Sequence, residues 1–190
     1  MIQGSNKASF RPIINYSLGP NEYGAEVPSV LGGGSYNKSN YGSELASLRA
    51  VLSSKIDASK DAIIVMAAGN SATDITSTIV NELSLNPDEA KRIFFVGALD
   101  NKGNIADYSN YSKSLGTMIY VPVNGSSENN KSVSGTSFAA PQIHYLINKI
   151  YENRPNLTPE ELREVLFDLS IAPKSTVLSP NGEMIEVQIY

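Results

Sequence analysis

Cysteine is absent from the 190 residues, which excludes disulfides and thiolate metal sites and leaves the redox compartment unmarked. Histidine occurs once, as His144, so any imidazole chemistry within the chain rests on that position. Basic residues are in slight deficit, 15 Lys and Arg against 19 Asp and Glu, for a net charge of −4. That balance supplies no basic face for nucleic acid, so no nucleic-acid partner is expected. No apolar run approaches the roughly 18 residues that a membrane span needs, and no membrane partner is expected either. The segment Met1-Ile2-Gln3-Gly4-Ser5-Asn6-Lys7 lacks the charged-then-apolar order of an export signal. A protein that starts there is expected to stay where it is made. A segment upstream could carry a signal, and a secreted or cell-envelope location would then follow.

What is present describes an ordinary globular chain: 41% hydrophobic and 18% charged residues. Its length fits one domain with a sizeable core. Short β-branched runs alternate with helical patterns, the order expected of an α/β fold with a mostly parallel sheet flanked by helices. Strands are expected at Ile13–Ser17, Ile63–Ala68 and Ile93–Ala98. The last is apolar throughout, as befits a strand covered on both faces. A weaker strand, Ile119–Val123, contains Pro122, which confines it to a sheet edge or puts the proline at a strand end.

Asn21–Tyr41, with Gly32-Gly33-Gly34, reads as a long loop. Ser43 can cap a helix with Leu45, Leu48, Leu52 and Ile56 on one face. From Ser71 to Ala90 no element is assigned, although Ile79, Leu83 and Leu85 could pack. Asp100-Asn101-Lys102-Gly103 is a turn. A helix from about Ser137 to Glu152 would bury Ile143, Leu146, Ile147 and Ile150. The next opens on the capping box Thr158-Pro159-Glu160-Glu161 and would bury Leu162, Val165, Leu166 and Leu169. Residues Thr176–Tyr190 read as a hairpin turning at Pro180-Asn181-Gly182.

Three segments carry the chemistry. In Ser134-Gly135-Thr136-Ser137-Phe138-Ala139-Ala140-Pro141, a serine stands where a helix begins. Unpaired N–H groups and the positive end of the helix dipole favour a developing oxyanion there. Taken alone, Ser137 reads more simply as an N-cap. Ala67-Ala68-Gly69-Asn70 ends a strand, and the Asn70 amide can donate to negative charge; alone, the Gly-Asn pair is a turn. Asn15-Tyr16-Ser17-Leu18-Gly19 merely ends a strand when read by itself.

In combination and in this order, the segments resemble the subtilisin-like serine peptidases. Phe95-Val96-Gly97-Ala98-Leu99-Asp100 and Tyr108-Ser109-Asn110-Tyr111-Ser112 also look like family segments, and the separation of Asn70 from Ser137 agrees with the family. The resemblance covers roughly Pro12 to Ser170. It implies the subtilisin-like three-layer architecture, here as a single partial domain whose N-terminal part is missing, with the hairpin 176–190 following.

Carried over by position, the resemblance makes Ser137 the nucleophile, with Asn70 and the Ser137 backbone N–H as the oxyanion hole. Ser17, Leu18 and Gly19 would pair with a polypeptide substrate and form one wall of its pocket. Ala67, Ala68 and Gly69 would form the other, small enough to admit a large apolar group. No cofactor is implied. Calcium occurs in the family, and this sequence gives no support for it or for any other metal.

A serine hydroxyl needs a base, and the base an orienting acid. The family places both before the substrate-pairing strand, and the 12 residues ahead of Ile13 contain neither Asp nor His. His144 lies seven residues after Ser137 on the same helix, about 10 Å along its axis, and reads as structural. Lys131 and Lys149 are weaker substitutes. Gln142 stands where the family commonly has a histidine that is not the base. The chain alone is therefore expected to be inactive, with an Asp/His-bearing N-terminal segment or chain as its partner. The other reading is a non-catalytic, peptidase-like module that binds extended peptides by strand addition.

Overall fold

The computed structural model describes residues 11–17, 49–50, 53–54, 62–77, 81, 85–114, 118–123, 134–170 and 172–190. Strands β1 (Ile13–Tyr16), β2 (Ile63–Ala67), β3 (Ile93–Leu99) and β4 (Met118–Pro122) lie side by side, all parallel. Strands β5 (Ala172–Leu178) and β6 (Met184–Ile189) form an antiparallel hairpin, and β6 joins β4 in parallel. The sheet order is β1-β2-β3-β4-β6-β5. Gly182 at φ +86° allows the tight turn between the hairpin strands. Pro122 is the last residue of β4, where its missing N–H costs the ladder little.

Alternation along the strands divides the core in two. Ile63, Val65, Phe94, Val96 and Ile119 face helices α2 (Ala140–Asn153) and α3 (Pro159–Leu169). Ile64, Met66, Phe95 and Tyr120 face the other way, against Ile75, Ile105 and Tyr111 from the connections and Val177, Ile185 and Val187 from the hairpin. Every residue of β2 and β3 is buried, so both strands are covered on both faces. Each such large apolar side chain stabilises the fold by about 1.5–3 kcal/mol. On β3, Gly97 is required by packing: a Cβ there would stand 2.6 Å from the Tyr120 ring.

Helix α1 (Pro87–Lys91) is short and closed by an Asn86–Glu89 capping box, in the stretch where no element was assigned. Arg163 of α3 reaches its C-terminal end, donating to the carbonyls of Ala90, Lys91 and Ile93 while stacking 4.2 Å over Phe94. The Thr158–Glu161 capping box of α3 forms as expected. Leu162 and Leu166 are buried, but Leu169 is 54% exposed. The last turn of α3 therefore lacks the apolar surface that periodicity assigned to it. Leu85 packs against a core, whereas Ile79, Leu83 and the loop 21–41 lie outside the described residues. In the segment read as a helix from Ser43, residues 49–50 and 53–54 are helical. Among the described residues, no helix is long and apolar enough to cross a membrane.

Candidate active site

The parallel strands bring their C-terminal ends to one edge of the sheet, the edge where α/β folds place ligands. Tyr16 is level with Met66, so Ser17 emerges beside Ala67 at the end of β2. Ser17 is half-buried, and its Oγ accepts from the Asn15 Nδ2 at 3.0 Å. Leu18 and Gly19 lie outside the described residues.

Beyond β2 the chain turns at Gly69, whose φ of +99° suits glycine. The Ala67 and Ala68 side chains are buried, one in each core. The Ala68 and Gly69 backbone is engaged internally. Ala68 N–H donates to the Val96 carbonyl, and Gly69 N–H donates to the Thr136 hydroxyl at 3.1 Å. Any contribution of these two residues to a pocket is therefore one of shape.

Ser137 does not cap a helix. It occupies the middle of a 3₁₀ turn, Thr136–Phe138, and α2 begins only at Ala140, behind an Ala139 N-cap that makes no side-chain bond. The expected helix start at Ser137 is thus displaced by one turn. Gly135, at φ +128°, aims the turn back toward Asn70. The Asn70 Oδ1 accepts from the Thr136 backbone N–H at 2.8 Å and from the Thr136 hydroxyl at 3.1 Å. Asn70 itself is exposed and Ser137 half-buried.

A Cβ placed on Gly135 would lie 3.2 Å from the Ser137 Oγ and 3.7 Å from the Asn70 Nδ2. The two groups therefore flank a single small space, kept open because residue 135 has no side chain. Among the described residues neither the Ser137 Oγ nor the Asn70 Nδ2 makes a hydrogen bond. The Tyr108 side chain lies by the Gly135 backbone. Burial pushes its phenol above the ordinary value, the Gly135 backbone hydrogen bond draws it back, and the Asp107 charge adds to the rise.

The model of the Subtilase family (Peptidase S8) matches residues 5–181. The chain belongs to the subtilase family.

A subtilisin-like protease 2 of Pseudogymnoascus destructans is 31% identical over 135 residues, covering 68% of this chain and 30% of that protein. A cold-adapted subtilisin-like serine proteinase of known structure superposes with a TM-score of 0.54 at 18% identity, over 92% of this chain and 53% of that one. The α/β fold is thus subtilisin-like, and this subtilase chain spans about half the length of the solved relative.

Within the subtilase chain, His144 turns away from serine chemistry. Its Nε2 lies 3.3 Å from the Ile13 carbonyl of β1, and Asn148 Nδ2 approaches the same ring while donating to the His144 carbonyl. Lys149 pairs with Glu152 at 2.7 Å, and Lys131 lies outside the described residues. Gln142 donates to the Pro122 and Phe138 carbonyls. Among the described residues, no cluster of three or more acidic or histidine side chains is arranged to hold a metal ion.

Two residues escaped the reading of the sequence as site residues. Thr136 stood inside the motif without a role, and Asn110 stood in a family-like segment without one. Both are fully buried polar residues. A polar residue inside a motif is the only signal sequence offers for either.

Proposed function

We propose that this chain is the nucleophile-bearing portion of a serine endopeptidase catalytic domain, completed by an Asp and a His from outside the 190 residues. The observation that carries this reading is the pairing of Ser137 Oγ and Asn70 Nδ2 around the space above Gly135. Ser137 Oγ would attack the carbonyl carbon of a peptide bond while the external histidine takes its proton. The oxygen that gains charge would accept from Asn70 Nδ2 and from the Ser137 backbone N–H. These donors are already oriented, so they cost little reorganisation as charge develops. The C–N bond then breaks, the leaving amine takes the proton from the histidine, and water hydrolyses the acyl–Ser137 ester.

Ser17, Leu18 and Gly19 on one side, and the shape of Ala67, Ala68 and Gly69 on the other, would frame the side chain preceding the cleaved bond, with a broad apolar preference. The partner is a polypeptide. No cofactor enters the chemistry.

An active-site fluorophosphonate probe tests the reading. With the Asp/His-bearing segment supplied, it should label Ser137 and fail to label Ser137→Ala; absence of labelling in the complete form would defeat the proposal.

A second reading is favoured by one feature. Among the described residues β1 has a strand neighbour on one side only. Such an edge can accept an extended peptide by strand addition without any hydrolysis. That module would keep its activity in Ser137→Ala, whereas the peptidase would lose it.

A further inference from the structure

We propose that Asn110 is the positioning residue that holds Asn70 in register for catalysis, an inference that rests on the peptidase reading for its catalytic part only. Asn110 is fully buried on the connection after β3, 40 positions along the chain from Asn70, yet it binds the backbone on both sides of that residue. Ahead of Asn70, its Nδ2 donates to the Ala68 carbonyl at 2.9 Å and its backbone N–H donates to the Gly69 carbonyl at 3.0 Å. Past Asn70, its Oδ1 accepts from the Ser71 N–H at 2.9 Å and the Thr73 N–H at 3.1 Å. One side chain therefore pins residues 68, 71 and 73, while Asn70, which makes no bond to Asn110, projects from the pinned loop.

The anchor is itself anchored. The Ser109 Oγ accepts from the Ala98 N–H of β3 at 3.0 Å and donates to the Asn110 carbonyl at 2.9 Å. The loop is thus tied to the sheet by a continuous run of buried hydrogen bonds, Ala98 to Ser109 to Asn110. Without it the loop would keep only its backbone bonds of Ala72 with Tyr108 and of Thr73 and Ile75 with Tyr111, and the Asn70 side chain would be steadied by Thr136 alone. Buried networks of this kind are worth most when every member is satisfied. An amide that must meet a transition-state oxygen tolerates little displacement, since a shift of about 1 Å can cost on the order of 100-fold in rate.

The test uses Asn110→Ala and Asn110→Asp in the enzyme complemented with its Asp/His-bearing segment. Asp is isosteric: it keeps the acceptor for Ser71 and Thr73 and removes the donor to Ala68, so it serves if the alanine variant does not fold. Hydrolysis of a peptide anilide should show kcat falling about 10- to 100-fold, with KM nearly unchanged. In an Asn70→Ala background the same substitution should cost almost nothing further. An equal loss in both backgrounds, or a loss confined to KM, would overturn the inference.

A complemented wild type that neither hydrolyses nor labels would defeat the peptidase reading. The positioning claim is then decided in the 190-residue chain by NMR. Asn110→Ala should raise the exchange rate of the Ser71 and Thr73 amide protons, and Asn110→Asp, which keeps their acceptor but loses the donor to Ala68, should raise the mobility of the Asn70 side-chain amide. Unchanged exchange and mobility would overturn it.

Discussion

Thr136 holds Asn70 through a single atom, the Asn70 Oδ1, which receives the Thr136 backbone N–H at 2.8 Å and its hydroxyl at 3.1 Å. A backbone N–H can only donate, so the atom it meets must be the amide oxygen, and the orientation of the Asn70 amide follows. The hydroxyl can donate to Asn70 because it accepts from the Gly69 N–H on its other side. The turn that carries Ser137 and the strand end that carries Asn70 are thereby locked together, and the Asn70 Nδ2 is left to face the Ser137 side.

Replacing Thr136 with valine keeps the shape and removes both roles of the hydroxyl. The Gly69 N–H becomes a buried donor without an acceptor, at a cost of about 1–3 kcal/mol. We expect a lower urea midpoint at unchanged m-value, and in the complemented enzyme a fall in kcat greater than any change in KM. Urea titration and steady-state kinetics check the two parts separately.

Gly135→Ala should damage the site more than the fold. The φ of +128° is strained for any residue with a Cβ, costing about 1–3 kcal/mol. The added methyl would also enter the space between the Ser137 Oγ and the Asn70 Nδ2. Fluorophosphonate labelling of the complemented enzyme should therefore fall by at least about 100-fold, the order expected when an oxyanion donor is denied its partner, as measured in a subtilisin. Thermal denaturation should show that the variant remains folded.

Arg163 lies away from the site, and its loss should touch stability only. It joins α3 to the end of α1 and the start of β3 through three carbonyls and stacks over Phe94. Burial lowers the guanidinium pKa, with the Glu160 charge opposing, yet arginine keeps its proton at any ordinary pH. Arg163→Ala removes a donor from each of those carbonyls, of which Ala90 keeps the Arg92 N–H, and should destabilise by about 3 kcal/mol. Arg163→Lys should recover only part, because an ammonium cannot reproduce the planar fork. Calorimetric melting of both variants measures this.

The acid limb of stability should reflect Glu161 and Glu183. The Thr158 backbone N–H, followed by its hydroxyl, holds the Glu161 carboxyl below the usual glutamate range, and the Lys113 ammonium, with help from Asn181, does the same for Glu183. A carboxylate whose pKa is depressed on folding contributes stability above its unfolded value and loses it as pH falls through its folded value. Melting temperature should accordingly drop as the pH is taken down through and below the ordinary glutamate range. Glu161→Gln and Glu183→Gln should each flatten that slope; a slope unaltered in both variants would contradict the assignment.

Much of this molecule could be read from local pattern. The unbroken apolar run of β3 announced a strand covered on both faces, and its seven residues are all buried. Thr158 and Glu161 announced the start of α3, because a capping box is a contact between neighbours in sequence. Pattern failed where a partner surface had to be known. Leu169 keeps the spacing of a buried stripe, yet is exposed because periodicity gives the direction of a side chain and not the extent of what it meets.

The sequence by itself determined the order of the strands and of helices α2 and α3 and the residue types of the motif, since these are written in spacing and composition over a few neighbouring residues. Only the tertiary structure decided that Ser137 sits in a 3₁₀ turn rather than capping a helix, that His144 is spent on the Ile13 carbonyl, and that Asn110 fastens the loop of Asn70. The reason is physical: the His144 and Asn110 bonds, and the Thr136 bonds that dock the Ser137 turn on Asn70, join groups dozens of residues apart and exist only once the sheet has assembled.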